Sequence, residues 1–375
     1  LNHFDAIVVG VGGIGSAALA HLAQKGLHVL GLEQFKVGHD KGSSHGQTRV
    51  IRQVYFEHPS YVPLLQRAYA LWDVLDENSA QSLFVRSGLV QFGAADGQVI
   101  RGVEESAQQY GLPVERLTEK ALRELAPMLR LPESMVAVYE QGAGYLAVED
   151  CVRAHARTAV QAGATLMQGE TVQSWKADGA GFVVTTQSDR YSTDRLVVTA
   201  GAWSDRLLLD LGVELRVRRK PLLWFGAEET WEKAPVFLYE LPEGVFYGFP
   251  DCGGRGVKIA EHTSGLDADP DVLNRDLLDA DRDPVQAFSR RYLRGVNETD
   301  CQSHAVCMYT MTPDEHFCVG THPKNTRLVF AAGMSGHGFK FASVLGEILS
   351  ELAMDGKSQH EISFLSPSRF EGSFA

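Results

Sequence analysis

Three groups of residues in this chain could do chemistry. The first is the run Gly10-Val-Gly-Gly-Ile-Gly15, with Glu33 a little over 20 residues beyond its first glycine. Gly10 suits a tight turn, Gly12 lets backbone approach a pyrophosphate, and Gly15 lets a helix pack close on a strand. Phosphates at such a turn sit on the free N–H groups of a helix N-terminus, where the dipole favours negative charge. Glu33 is placed to take a ribose hydroxyl, and a carboxylate there would repel a 2′-phosphate, which disfavours NADP. The fingerprint by itself does not separate FAD from NAD. The second group is a pair of cations, Arg49 and Arg52. In an extended segment this spacing puts them on opposite faces, so one could face a cofactor and the other grip a substrate carboxylate. Solvated surface arginines are the ordinary alternative, but Gly42, Ser43 and Gly46 make the preceding loop suited to wrapping a cofactor. The third group is Lys258 and His262, which share a face if their segment is a strand. On spacing alone, an exposed lysine and a satisfied core histidine are the plainer readings.

The elements that must position these groups alternate in type. Asp5 to Val9 is an apolar run without alternation, as in a parallel strand buried on both faces. Ser16 to Lys25 reads as a helix stopped by Gly26, and Leu27 to Leu32 as a second strand. Tyr61 to Asp76 shows an amphipathic stripe of Leu65, Ala68, Trp72 and Leu75. Leu89 to Gly93 and Tyr191 to Val198 read as strands; Arg101 to Tyr110, Thr118 to Leu125 and Glu149 to Ala162 read as helices. Residues 215–262 read as several strands separated by turn signals at Pro242-Glu-Gly244, Pro250-Asp251 and Gly253-Gly254. Arg327 to Ala332 is a late apolar strand, followed by the glycine-rich turn Gly333 to Lys340 and a helix to about Met354. The order implies an α/β nucleotide domain interleaved with a β-rich one. The expected boundaries are 1–84, 145–214 and 312–375 for the first and 85–144 and 215–311 for the second.

Composition narrows the function classes. The 375 residues are 44% hydrophobic and 22% charged, as in a globular protein with a large core. With 35 Lys plus Arg against 47 Asp plus Glu, the formal charge is −12, so neither nucleic acid nor an anionic membrane is an expected partner. No apolar run is long enough to span a bilayer. Cys151, Cys252, Cys301, Cys307 and Cys318 are odd in number and contain no Cys-x-x-Cys pair, which indicates neither a zinc site nor a disulfide framework. A reducing cytoplasm is the expected location, with most cysteines as small core residues.

Four further blocks carry a resemblance. They are Gly42-Ser-Ser-His-Gly-Gln-Thr-Arg-Val-Ile-Arg52; Tyr247-Gly-Phe-Pro250 with Lys258 and His262; Cys307-Met-Tyr-Thr310 with Thr312-Pro-Asp-Glu-His-Phe317; and Ser335-Gly-His-Gly-Phe-Lys-Phe341. With the glycine fingerprint, they make nearly the whole chain resemble the flavin-dependent amine oxidase family of monomeric sarcosine oxidase and N-methyltryptophan oxidase. The implied fold is α/β, in the sense of an α+β two-domain protein: an FAD-binding Rossmann-like domain interleaved with a β-rich substrate domain. The implied cofactor is FAD, joined covalently through Cys307 and held also by Gly10, Gly12, Gly15, Glu33, Ser43, Thr48 and Gly338. Such attachment needs a thiolate, so the cysteine is expected in an electropositive, partly open place. The resemblance gives Arg52 and Lys340 the substrate carboxylate and sets Arg49 against the flavin ring. It places Lys258 over the flavin, where a fixed cation favours reaction with oxygen. His262 and Tyr247 line the substrate side, joined by Tyr309, Leu238 and Gly336. The helix after Gly338 is expected to aim its N-terminus at the flavin pyrimidine edge.

The implied reaction is oxidation of a secondary (N-methyl) amino acid such as sarcosine by hydride transfer to flavin N5. Imine hydrolysis gives formaldehyde and the amino acid, and reoxidation by O2 gives hydrogen peroxide. The implied partners are that small amino acid and O2, and the implied state is a monomer. Ser44, Gln47 and Leu238 depart from the family's usual residues, and Leu238 puts the preferred amine in question. An N-methyltryptophan or pipecolate-type oxidase, a flavin dehydrogenase with another acceptor, and a non-catalytic flavin binder are the competing expectations. An NAD-dependent dehydrogenase is a weaker rival, since nothing after Glu33 suggests a nicotinamide site.

Overall fold

A computed structural model describes residues 1–370; the last five residues of the expected 312–375 segment lie outside the described residues. One large sheet runs in the order 172–178, 181–186, 190–198, 2–9, 29–33, 165–168, with 325–332 and 318–322 attached through 190–198. Strands 2–9, 29–33, 190–198 and 325–332 are parallel neighbours. The strand 190–198 is shared. Its first half pairs with 181–186, while Leu196 to Val198 pair with Leu328 to Phe330. From Ala6 to Val9, alternate residues of this strand serve different cores. Ala6 and Val8 join the cluster under the helices, and Phe4, Ile7 and Val9 join the opposite one. That two-sided burial is why the run is apolar without alternation.

Helix 13–24 follows the first strand and packs against helices 148–161 and 342–355. Gly346 brings the last helix close, since a Cβ there would lie 2.5 Å from the Cβ of Ala17. Helix 62–77 buries Leu65, Ala68, Trp72 and Leu75, the stripe the sequence shows.

The second large sheet runs 296–311, 216–227, 257–261, 244–251, 236–241, 89–93, 136–140, 115–117. Its pairs are antiparallel except 89–93 with 236–241. One face packs on helix 279–292, and the other receives helix 98–110. A small sheet of 48–51, 84–85 and 144–147 carries the arginine segment. Among the described residues, no helix is long and apolar enough to cross a membrane.

Candidate active site

A cavity of about 580 Å³ runs from the glycine turn, between the two large sheets, to the 216–311 strands. At its nucleotide end Gly10 has φ 86°, and a Cβ on it would lie 2.6 Å from the Thr199 carbonyl oxygen. A Cβ on Gly15 would meet the Gly10 carbonyl oxygen at 1.8 Å, so both positions exclude side chains. Gly12 is the N-cap of helix 13–24, without a side-chain cap, and a Cβ on it would meet nothing within 4 Å. The start of the helix thus opens onto the cavity without a side chain from Gly12 in the way, which fits a pyrophosphate. Glu33 lines the cavity, held by backbone: its carboxylate accepts from Val11 N at 2.8 Å and Phe35 N at 3.0 Å. The residues present fit a dinucleotide with an unphosphorylated ribose.

Of the residues named from sequence, Gly10, Gly12, Glu33, Ser43, Arg49, Arg52, Leu238, Tyr247, His262, Tyr309, Gly336, Gly338 and Lys340 all line this one cavity. Gly15, Thr48, Lys258 and Cys307 lie beside it without forming its lining. Arg49 connects Thr48 and Cys307 to it. It donates to the Ser43 carbonyl at 2.8 Å, the Thr48 carbonyl at 2.9 Å and the Cys307 sulfur at 3.1 Å. The Cys307 thiol also donates to the Ser43 carbonyl at 3.3 Å. Burial pushes this thiol up, but the Arg49 guanidinium, and then His45, overcome it and hold the thiol lowered to about 6. Cys307 is therefore electropositively placed as expected, but the expected partial openness is wrong: it is 1% exposed. Close strand pairing of 296–311 with 216–227 closes over it.

Lys258 sits not in the cavity wall but against the arginine loop. It donates to the Gly46 and Thr48 carbonyls at 2.9 and 2.7 Å, and its ammonium lies 4.0 Å from the Phe249 ring centroid. Burial, then Arg49, lowers its pKa well below the ordinary lysine value. The departures near this loop have their own work. Ser44 Oγ accepts from Gly13 N at 3.3 Å. Gln47 has φ 72° and bonds to the Cys252 carbonyl and to Trp224 Nε1.

At the far end two cations bear on one ring. Arg52 is 4.3 Å and Lys340 5.3 Å from the Tyr55 centroid, with Phe56 4.3 Å from Arg52 as well. Arg52 donates one nitrogen to both oxygens of Glu57 at 2.8 Å. Burial opposes ionisation of Glu57, yet Arg52 dominates and its carboxyl falls to about 2. Lys340 donates to the His337 carbonyl at 2.8 Å, and burial, followed by Arg52, lowers it to about 7. His262 Nδ1 and Tyr309 Oη are 3.3 Å apart, and burial, followed by Lys220, lowers His262 to about 3. Gly336 has φ 86°, and a Cβ on it would strike the Tyr309 ring at 2.4 Å.

Sequence reasoning missed Glu57, Tyr55 and His45. His45 stood inside a quoted block without a role, and Glu57 follows in an irregular segment where spacing carries no facing information. The arrangement brings together a glycine turn at a helix N-terminus, a thiol lowered by a neighbouring guanidinium, the Arg52 and Lys340 side chains at the far end, and an imidazole–phenol wall between them.

The chain matches the family model described as FAD dependent oxidoreductase over residues 5–352. It is 37% identical to a monomeric sarcosine oxidase of Bacillus sp. (strain B-0618), over 98% of this chain and 96% of that one. It is 36% identical to an N-methyl-L-tryptophan oxidase of Yersinia pestis (strain Pestoides F), over 98% and 99% of the two chains. In fold it is similar to NikD, described as an unusual amino acid oxidase, with a TM-score of 0.86 at 24% identity over 98% of each chain. It is likewise similar to glycine oxidase from Geobacillus kaustophilus, with a TM-score of 0.83 at 21% identity, covering 98% of this chain and 99% of that one. The cavity's phosphate turn and these full-length matches lead to one assignment: the chain belongs to the FAD-dependent oxidoreductase family, in the group of the monomeric sarcosine oxidases and N-methyltryptophan oxidases.

Proposed function

We propose that this protein is an oxidase of secondary, N-methyl amino acids such as sarcosine, with FAD bound covalently through Cys307 and O2 as electron acceptor. The observation that carries the reading is the convergence of Arg52 and Lys340 on the Tyr55 ring at the cavity end opposite the phosphate turn. Two buried cations there bind a substrate carboxylate, Arg52 through a planar fork and Lys340 as a point charge. Glu57 already occupies Arg52, so a substrate carboxylate competes with an internal one.

With the carboxylate held, the amine lies along His262 and Tyr309. His262, lowered to about 3, is neutral at pH 7 and does not repel an amine. When bound, FAD supplies the oxidising power, taking a hydride from the carbon next to nitrogen and passing electrons on to oxygen. Tyr247 and Leu238 limit the space for the substrate's side chain. Arg49 holds Cys307 as a thiolate for attachment and places a cation beside the cofactor site. Lys258, held on the same loop by the Gly46 and Thr48 carbonyls, supports the oxygen reaction in its protonated form. We assign the protein to the cytoplasm as a monomer.

A panel of N-methyl amino acids and cyclic imino acids, read out as peroxide, tests the function. Sarcosine or a close relative should yield one peroxide per amine oxidised. Flavin reduction without peroxide in air would replace the oxidase reading with a dehydrogenase, and no reduction by any member would remove the amine assignment.

A further inference from the structure

Lys220 is 2% exposed and does not line the cavity. Its ammonium donates to the carbonyl oxygens of His262, at 2.7 Å, and Ser264. It also lies 4.9 Å from the Tyr309 ring centroid. In the strand ladder it stands directly opposite Cys307. The turn closes tightly round it: a Cβ on Gly265, where φ is +135°, would come within 3.0 Å of Lys220 Cδ. A buried ammonium is costly unless compensated, and here two carbonyls and an aromatic face compensate it rather than a paired carboxylate.

We propose that Lys220 is a positioning residue of the amine-oxidising site, one that fixes the His262–Tyr309 wall by tying down the chain after His262 and bearing on the Tyr309 ring. The inference rests on the proposed amine-oxidase function. Lys220 ties the segment leaving strand 257–261 to strand 216–227, so the backbone that carries the imidazole is anchored on both sides of Thr263 and cannot drift from the phenol without breaking those carbonyl bonds. Its charge also acts on His262. The groups around that imidazole are Tyr247 on the adjacent strand 244–251, Tyr309 on strand 296–311, Glu57 on the arginine segment, and His337 and Lys340 on the glycine-rich turn. After burial, Lys220 is the largest influence lowering His262, while Glu57 opposes it. Glu261 is the carboxylate that most favours the Lys220 cation.

The test compares the wild-type holoenzyme with Lys220→Gln, which keeps a donor for the carbonyls without the charge, and Lys220→Arg, which keeps both. Two quantities are read. One is the absorbance of the oxidised flavin titrated between pH 4.5 and 9 without substrate, conditions spanning the ordinary histidine range of about 6.5. The other is the limiting rate of anaerobic flavin reduction by sarcosine over the same range. Lys220→Gln should shift the onset of a histidine ionisation upward at the acid end of this range, burial still holding it low, and lower the limiting rate about tenfold, with reoxidation by O2 unchanged. Lys220→Arg should restore both to within about twofold of wild type. A Gln variant identical to wild type in both readouts overturns the proposal, and so does an Arg variant as impaired as Gln. If sarcosine fails to reduce even the wild type, the parent function fails, while the substrate-free titration still decides the role of Lys220.

Discussion

Replacing Arg49 by Met should slow covalent flavin attachment about a hundredfold at pH 7. In the native site Cys307 is held at about 6 by Arg49 and His45 against burial. Cys318, also buried, has only the weaker pull of Arg369 against it, offset by Asp314, and burial pushes it up to about 12. At pH 7 a thiol of pKa 6 is about nine-tenths thiolate, whereas one of 12 is ionised in roughly one molecule in 10⁵. The more basic thiolate is a better nucleophile, by roughly 500-fold for about six pK units at a Brønsted slope near 0.45. The two factors leave a net loss of about 10², with the attachment step still limited by ionisation. The assay starts from protein purified from a riboflavin-limited host. Excess FAD is added at several concentrations, and the yellow colour retained after acid precipitation is followed in time. Extrapolation to saturating FAD separates attachment from the weaker cofactor binding that loss of Arg49 also causes. The native rate should level off above about pH 6, whereas the Arg49→Met rate should climb with pH throughout the accessible range. A saturated Arg49→Met rate within a few fold of native, with the same pH profile, would show that Arg49 does not activate Cys307.

Glu57→Gln should remove the internal competitor for Arg52 and lower the dissociation constant of carboxylate ligands by up to about tenfold, measured by flavin difference spectra; weaker binding would mean that Glu57 orients Arg52 rather than occupying it. Lys340 is lowered to about 7, so its cation is present below that pH and lost above it. Binding of propionate, which has no amine to titrate, should therefore weaken as pH rises from 7 to 9, by at most about tenfold per unit; a flat profile would exclude Lys340 from the carboxylate site. Lys258→Met should slow reoxidation by O2 more than tenfold and anaerobic reduction much less, and equal slowing in stopped-flow traces would count against its oxygen role. Gly336→Ala needs a strained φ and a shifted Tyr309, so thermal unfolding should show about 1–2 kcal/mol lost and kcat/KM should fall tenfold or more.

The nucleotide end of the site was legible because it is local. Strand, glycine turn and helix 13–24 are consecutive; Gly10 and Gly15 answer contacts within that unit or with Thr199, and Gly12 leaves open space. The substrate end was not local. Arg49 reaches Cys307 across 258 positions and Tyr55 reaches His337 across 282, so no window of sequence holds both partners. Only the resemblance joined them. It named the cavity wall well but did not show that Lys258 and Cys307 stand beside that wall, because the register of 216–227 against 257–261 and 296–311 decides their depth. Lys220 escaped for the same reason. In sequence it is one more basic residue after Arg218 and Arg219, and only strand pairing sets it opposite Cys307.

The shared strand 190–198 bears on the order of events in the cell. It receives residues 2–9 on one edge and 325–332 at its far end, and helix 13–24 leans on helix 342–355. On a ribosome the glycine turn emerges before the partners that shape its surroundings, which follow more than 170 and more than 300 residues later. Such long-range closure is slow, and it leaves an apolar strand unpaired while synthesis continues. The surroundings of the glycine turn are therefore completed only after strands 190–198 and 325–332 have joined it, so the cofactor's nucleotide end is shaped by late long-range pairing rather than by the local turn alone.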